Sequence, residues 1–342
     1  MEHLELTYRQ LASVSDFTHY PYYGFLVEER ITQPDLDMAD FRTTRWSSPE
    51  QEYWLRQQVE RCRDHADWFR GFAVEEELGK VSLVGSCSLS SDPCRAAQEW
   101  SQRLGAAGAR KRCRNSAAYF KKLREAMEDE GVLAEACGHY AGSSRASYDP
   151  ANFSGFALSD DYAPLVFVNR SCPPGEQVFT LMHELGHLLL GVSAVSSPGI
   201  GDERHKAERW CGAFAEEILV PLDELSGPVS SMDDIARTAG HYHVERRVIL
   251  RRCHEKSLIG ADELSAWLDE CRREEEAQAR RHSRTSIAAA ADSASRRFLW
   301  ALVNSASVCR TLMRDAYMLL GIKGSEYLEL QDRILGSSRA QA

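Results

Sequence analysis

The chain has 342 residues, enough for roughly two or three domains. Its 51 acidic and 41 basic side chains leave a formal charge of −10, which argues against broad, non-specific attachment to nucleic acid or anionic membranes. The start MEHLELTYRQ lacks the basic-then-apolar pattern of a secretory signal, and LMHELGHLLLGV is too short and polar to span a bilayer, so a cytoplasmic protein is expected. The ten cysteines include no C-x-x-C pair and read as free, mostly buried thiols in a reducing compartment.

In chain order, residues 1 to about 45 read as a short helical start followed by a turn-rich, aromatic connection. A helix is expected over 48–77, with Ser48 as N-cap and Trp54, Leu55, Val59, Cys62 and Trp68 at helical spacing. SSDP at 90–93 caps a further helix, CRAAQEWSQRLGAAG, and ARKRCR at 109–114 reads as a solvated turn. SAAYFKKLREAMEDEG is helical and stops at Gly131. The short apolar runs VLAEAC, SGFALS and APLVFVN, separated by Gly, Ser, Asp and Pro, read as strands of a small sheet. Two helices follow, FTLMHELGHLLLG and ERHKAERWCGAFAEEIL, with the loop SAVSSPGIGD between them. Residues 226–260 read as two short helices around a turn, and 262–282 as a charged helix. The biased run SRTSIAAAADSAS leads to one helical segment, RRFLWALVNSASVCRTLMRDAYMLLGI, and a polar tail. The expected division is 1–105, an N-terminal helical region; 106–225, a core; 226–282, a helical subdomain; and 283–342, a C-terminal helical segment and tail.

The stretch HELGH puts His183 and His187 four residues apart, on one face of a helix. Their ring nitrogens are thereby placed to grip one ion, with Glu184 about 100° around the helix, where a general base for an attacking water belongs. Gly186 is costly inside a helix, which suggests close approach of a backbone or ligand. A catalytic zinc needs a third protein ligand. The extended pattern H-E-x-x-H-x-x-G-x-x-H fails, because 190 is Leu and 193 is Ser. A carboxylate from the next helix is the alternative, from Asp202, Glu203, Glu208, Glu216 or Glu217. Glu208 is preferred, since it begins an apolar face made by Trp210, Cys211, Phe214, Ala215 and Ile218. Glu216 and Glu217 are expected to face solvent, and His205 to lie on the surface.

With these residues in place, the chain resembles the ImmA/IrrE metallopeptidases. FTLMHELGHLLLG and the E208-RWCGAFAEEILVP segment carry the resemblance. SAAYFKKLREAMEDEGVLA, NFSGFALSDDYAPLVFVNRSCPPGEQ and the connector DLDMADFRT extend it over roughly 35–260. It implies a mostly helical α+β fold, with a small mixed sheet beside two active-site helices, that is, a zincin-like protease core. It further implies His183, His187 and Glu208 as ligands of zinc, or of manganese in its place, and Glu184 as catalytic base. The implied partner is a protein substrate, a helix-turn-helix repressor or antitoxin whose cleavage derepresses mobile-element or stress genes. Two departures stand out. Gly212 replaces an Asn usual in the family, and the N-terminal helix-turn-helix domain of longer members is expected to be missing.

Other residues carry two readings each. Asn169 pins the loop before the metal helix or polarises the scissile carbonyl, and Tyr162 is an exposed loop residue or an oxyanion donor. Residues 233–260, with Arg246, Arg247, Arg251 and Arg252, form a subdomain packed on the core or a groove-binding unit. Cys211 is a buried small residue or a thiol sensor beside the metal. The rival functions are a non-catalytic regulator that holds a repressor, and a DNA-binding regulator that uses 233–260.

Overall fold

The computed structural model describes residues 48–140, 147–192, 201–279 apart from 226 and 228, and 293–339, together with Thr7 and Gln10. The expectations for 1–45 and the DLDMADFRT connector, for most of the 193–202 loop, and for most of SRTSIAAAADSAS lie outside the described residues.

Helix α1, Pro49–Glu75, starts where its signals place it: the Ser48 hydroxyl accepts from Gln51 N, and Glu50 and Glu52 occupy the first turn. Helices α2, Pro93–Arg103, and α3, Ala106–Arg112, break at Gly105, whose φ of 60° suits glycine. The expected solvated turn at 109–114 is therefore largely the end of α3. Its Arg110 is buried because it reaches Glu224 and the Leu219 carbonyl and lies over the Tyr242 ring, 4.6 Å away. Helix α4, Ser116–Asp129, is capped by the Asn115 side chain and ends just before Gly131, at φ 101°.

Three strands follow: β1, Leu133–Cys137; β2, Gly155–Leu158; and β3, Leu165–Asn169. The sheet order is β1-β3-β2, with β1 parallel to β3 and β2 antiparallel to it. Every residue of β1 and β3 is buried; β3, the central strand, is a nearly continuous apolar run, and the one acid of β1, Glu135, is held inside by His65. Helix α5, Pro174–Leu189, packs on β2 and β3; helix α6, Gly201–Leu219, packs along α5. The described residues thus form a mostly helical α+β fold with one small mixed sheet.

Helices α7, Met232–Tyr242, and α8, Arg246–Glu255, turn sharply at His243, at φ 60°, and α9, Ala261–Ala279, lies against α8. Each of the four α8 arginines is engaged by a carboxylate: Arg246 by Glu274, Arg247 by Glu176, Arg251 by Glu216 and Arg252 by Glu217 and Glu255. This helix spends its cations on its own protein core, as the packed-subdomain reading requires. Glu216 and Glu217 therefore do not face solvent as expected, since Arg251 and Arg252 draw them inward.

The C-terminal segment divides into α10, Arg296–Ser307, α11, Met313–Leu320, and α12, Gly324–Arg339. The break after Ser307 falls at Val308 and Cys309, the latter at φ 60°, and the expected polar tail includes a helix that buries Tyr327 and Leu330. This segment is fastened at His65 of α1. Nδ1 of His65 is 2.8 Å from Glu135 in β1, Nε2 is 2.9 Å from the Leu319 carbonyl, and the ring stacks on Phe298.

Candidate metal centre

Helix α5 sets the first two groups. Gly175 begins it against the backbone of Val244 and Glu245, where a Cβ would stand 2.8 Å from Glu245 N. The helix ends at Gly191, at φ 66°, and the amides of Gly85 and Cys87 bond the Leu188 and Leu189 carbonyls. Both termini of the HELGH helix are thus pinned to neighbouring chain.

His183 and His187 bring their Nε2 atoms to 3.2 Å. Glu208, from α6, reaches both: Oε2 is 3.1 Å from His183 Nε2 and Oε1 is 3.3 Å from His187 Nε2. The ligand-type atoms of these three residues all lie within 4.8 Å of one another, and they form the one such cluster among the described residues. A tetrahedral ion with ligands about 2.0–2.2 Å away separates its ligand atoms by about 3.3–3.5 Å. The observed separations fit that requirement, and the donor set of two imidazoles and a carboxylate is one that zinc accepts.

The electrostatics point the same way. Burial pushes Glu208 up, but hydrogen bonds and charge from His183 and His187 outweigh it and hold the carboxyl well below its usual range. Burial pushes His187 down, but hydrogen bonding to Cys211 and Glu208 raises it well above a normal histidine. The three residues favour a positive charge between them, which a proton or a metal ion meets.

Glu184 is 6 % exposed and follows His183 directly. Room for it comes from Gly155 on the edge strand β2: a Cβ there would stand 2.5 Å from Thr180 Cγ2, 2.6 Å from the Phe167 carbonyl and 3.5 Å from Glu184 Cγ. A glycine inside a strand is a readable sign of close approach, and this one went unused in the sequence reading. A cleft of about 370 Å³ opens over the cluster. Asn152 to Gly155 line one part of it, with α5 residues Glu176, Phe179 and Thr180 and α8 residues Arg247, Val248 and Arg251 elsewhere around it. Phe179 stacks on His183 and also lies under Arg251. Arg247 and Arg251 stood out in the sequence only as part of the 233–260 segment, not as neighbours of the motif, because α8 is more than forty residues beyond it.

The remaining candidates separate clearly. Asn169 is fully buried; its amide donates to the Phe153 carbonyl at 3.0 Å and its oxygen accepts from Ser171 N at 2.9 Å. That is the loop-pinning arrangement, away from the cleft lining. Tyr162 also lies outside the lining and sits instead near Lys80, 6.0 Å from its ring centre. Glu216 and Glu217 are occupied by α8, and the side chains of Asp202, Glu203 and His205 lie outside those described. Gly186 accommodates α6: a Cβ there would stand 3.1 Å from both Cβ and Sγ of Cys211.

Comparison with known proteins bears on the same region. Residues 143–254 match the model of the IrrE N-terminal-like domain, and residues 294–333 match a domain of unknown function. Among curated proteins, none matches the chain. The matched segment holds His183, His187 and Glu208, together with Glu184, strand β2 and all but the last residue of α8. Residues 143–254 are therefore similar to the IrrE N-terminal-like domain, in keeping with the resemblance drawn from HELGH and Glu208.

Proposed function

We propose that the chain is a metal-dependent endopeptidase in which His183, His187 and Glu208 hold a zinc ion, with manganese as the alternative, and Glu184 is the catalytic base. The observation that carries this reading is the convergence of three ligand groups from two helices at the floor of a cleft, with a buried carboxylate beside them. When bound, zinc makes water acidic enough to ionise near pH 7 and polarises a carbonyl. Glu184 then takes the proton from the attacking water and returns it to the departing amine nitrogen. His183 and His187 orient the centre, and Phe179, Val248 and the Gly155 backbone shape the space for the peptide.

The proposed substrate is a regulatory protein, a helix-turn-helix repressor or antitoxin, cut to release mobile-element or stress genes, in the cytoplasm. The family match supports a protein substrate, and the repressor is what the ImmA/IrrE resemblance implies. Non-catalytic capture of a repressor is less well supported, because a pure binder has no use for a buried Glu184 next to the ligands. The test is co-expression with a helix-turn-helix repressor encoded beside this gene, with and without a zinc chelator. The repressor is expected to be cut by the wild type and left whole by Glu184→Gln, with zinc content equal in both. Cutting by purified Glu184→Gln would sink the mechanism.

A further inference from the structure

We infer that Arg251 is a specificity-determining residue, which takes an Asp or Glu side chain of the peptide next to the bond held at the metal centre. The inference rests on the reading of the cleft as a peptide site and names the kind of peptide it takes. Helix α8 supplies Arg247, Val248 and Arg251 to the cleft, and its two lining arginines stand one turn apart, on one face. Arg247 reaches Glu176, in the first turn of α5, at 3.7 Å. Arg251 instead lies over the ring of Phe179, 5.7 Å from its centre, and that ring stacks on His183 with centres 5.9 Å apart. Phe179 is about one helical turn from His183 and Glu176 about two, so Arg251 is the cation that borders the metal ligands.

The way Arg251 is held leaves its binding atoms available. Its Nε donates to Glu216, which comes from α6 and is not part of the cleft lining. The terminal nitrogens make no other hydrogen bond among the described residues. Glu216 therefore anchors the guanidinium through one N–H, and the Phe179 ring gives it a platform. The remaining N–H groups form a planar fork that matches the two oxygens of a carboxylate. The side chain is partly exposed, so a peptide in the cleft can reach it. The acids of the lining outside the metal centre gather elsewhere: Glu176 accepts from the Ser154 hydroxyl at 2.7 Å, and Glu245 stands against Gly175 at the start of α5. Beside the metal ligands, the described lining thus offers a cation, and no acid apart from Glu184 and Glu208 of the centre itself.

The experiment uses the zinc-loaded full chain as wild type, Arg251→Gln and Arg251→Lys. The probes are peptide hydroxamates identical except for one residue beside the metal-binding group, which is Glu, Gln, Lys or Gly. Two series put that residue on either side of the group, and titration calorimetry at low and high salt gives the affinities. In one series the Glu compound is expected to bind the wild type about 10-fold more tightly than the Gln compound, with a smaller advantage in high salt. Arg251→Gln should abolish the advantage, and Arg251→Lys, which keeps the charge without the fork, should keep part of it. The Gly compound should bind all three proteins alike. Equal binding of Glu and Gln compounds in both series, or a Glu advantage that survives Arg251→Gln, would overturn the inference. A loss in Arg251→Gln shared by the Gly compound would overturn it too, because the centre itself would then be disturbed. A zinc-loaded protein that shows the Glu preference but cuts no Glu-containing peptide would sustain the inference and count against the proposed peptidase activity. A wild type that binds neither zinc nor any hydroxamate would remove the centre, and the inference with it.

Discussion

Replacing Glu217 with Gln tests how α6 and α8 are joined. The Arg252 guanidinium is 2 % exposed, and it meets Glu217, itself 7 % exposed, the Val220 carbonyl at 3.0 Å, and Glu255, which is half exposed. Glu217 also accepts from Leu222 N at 3.3 Å, just past the end of α6. Breaking a buried pair by removing one charge costs about 3–5 kcal/mol, because the remaining ion stays out of water. Glu255 keeps part of the compensation, so Glu217→Gln is expected near the lower end, about 3 kcal/mol. The neighbouring Arg251–Glu216 pair gives the internal comparison. Arg251 is 43 % exposed, and Glu216→Gln should cost about 1 kcal/mol or less. Equilibrium urea unfolding followed by tryptophan fluorescence reads both. Equal losses, or a Glu217→Gln loss below about 1 kcal/mol, would refute the burial argument.

Gly186→Ala should cost about 1–3 kcal/mol by overpacking against Cys211 and should weaken zinc binding, since α6 carries Glu208; chelator competition and urea unfolding check both effects. Replacing His65 with Ala leaves the buried Glu135 carboxylate without its partner and frees the Leu319 carbonyl, so limited proteolysis should cut within 296–339 much sooner than in the wild type. In the metal-free protein, Glu208 is depressed and gives stability above its unfolded value of about 4.3, lost as pH falls toward its folded value. His187 is raised and gives stability below its unfolded value of about 6.5, lost as pH rises through its folded value. Metal-free stability should therefore be greatest between about pH 4.3 and 6.5, and zinc affinity should climb above that window as the His187 proton leaves; melting and chelator titrations across pH test both.

Much of the site was legible because it obeys helix geometry. The i,i+4 histidines needed no tertiary information, and Glu208 stood out as the acid at the head of a packed apolar face. Glu217 was misread for a definite reason. Nine residues at about 100° each turn it roughly to the opposite side of α6 from Glu208, and the sequence shows no solvent there or lack of it. Only the fold reveals Arg252 waiting on that side. Asn169 and Tyr162 drew attention by lying near the metal helix in sequence, yet side-chain direction decides their roles, and Asn169 spends both ends of its amide on backbone. Arg110 shows the same limit in reverse: a basic run reads as solvated until a carboxylate and an aromatic ring from later in the chain close over it. The strands were readable from composition and punctuation, whereas the order β1-β3-β2, which leaves Gly155 beside Glu184, was not.

X-ray absorption at the zinc edge, together with elemental analysis, tests the central claim most directly. The zinc-loaded wild type and Glu184→Gln should each hold one zinc, bound by two imidazole nitrogens and light oxygen ligands, and Glu208→Ala should lose the metal. Sulfur in the coordination shell, or full zinc content in Glu208→Ala, would contradict the assignment of His183, His187 and Glu208.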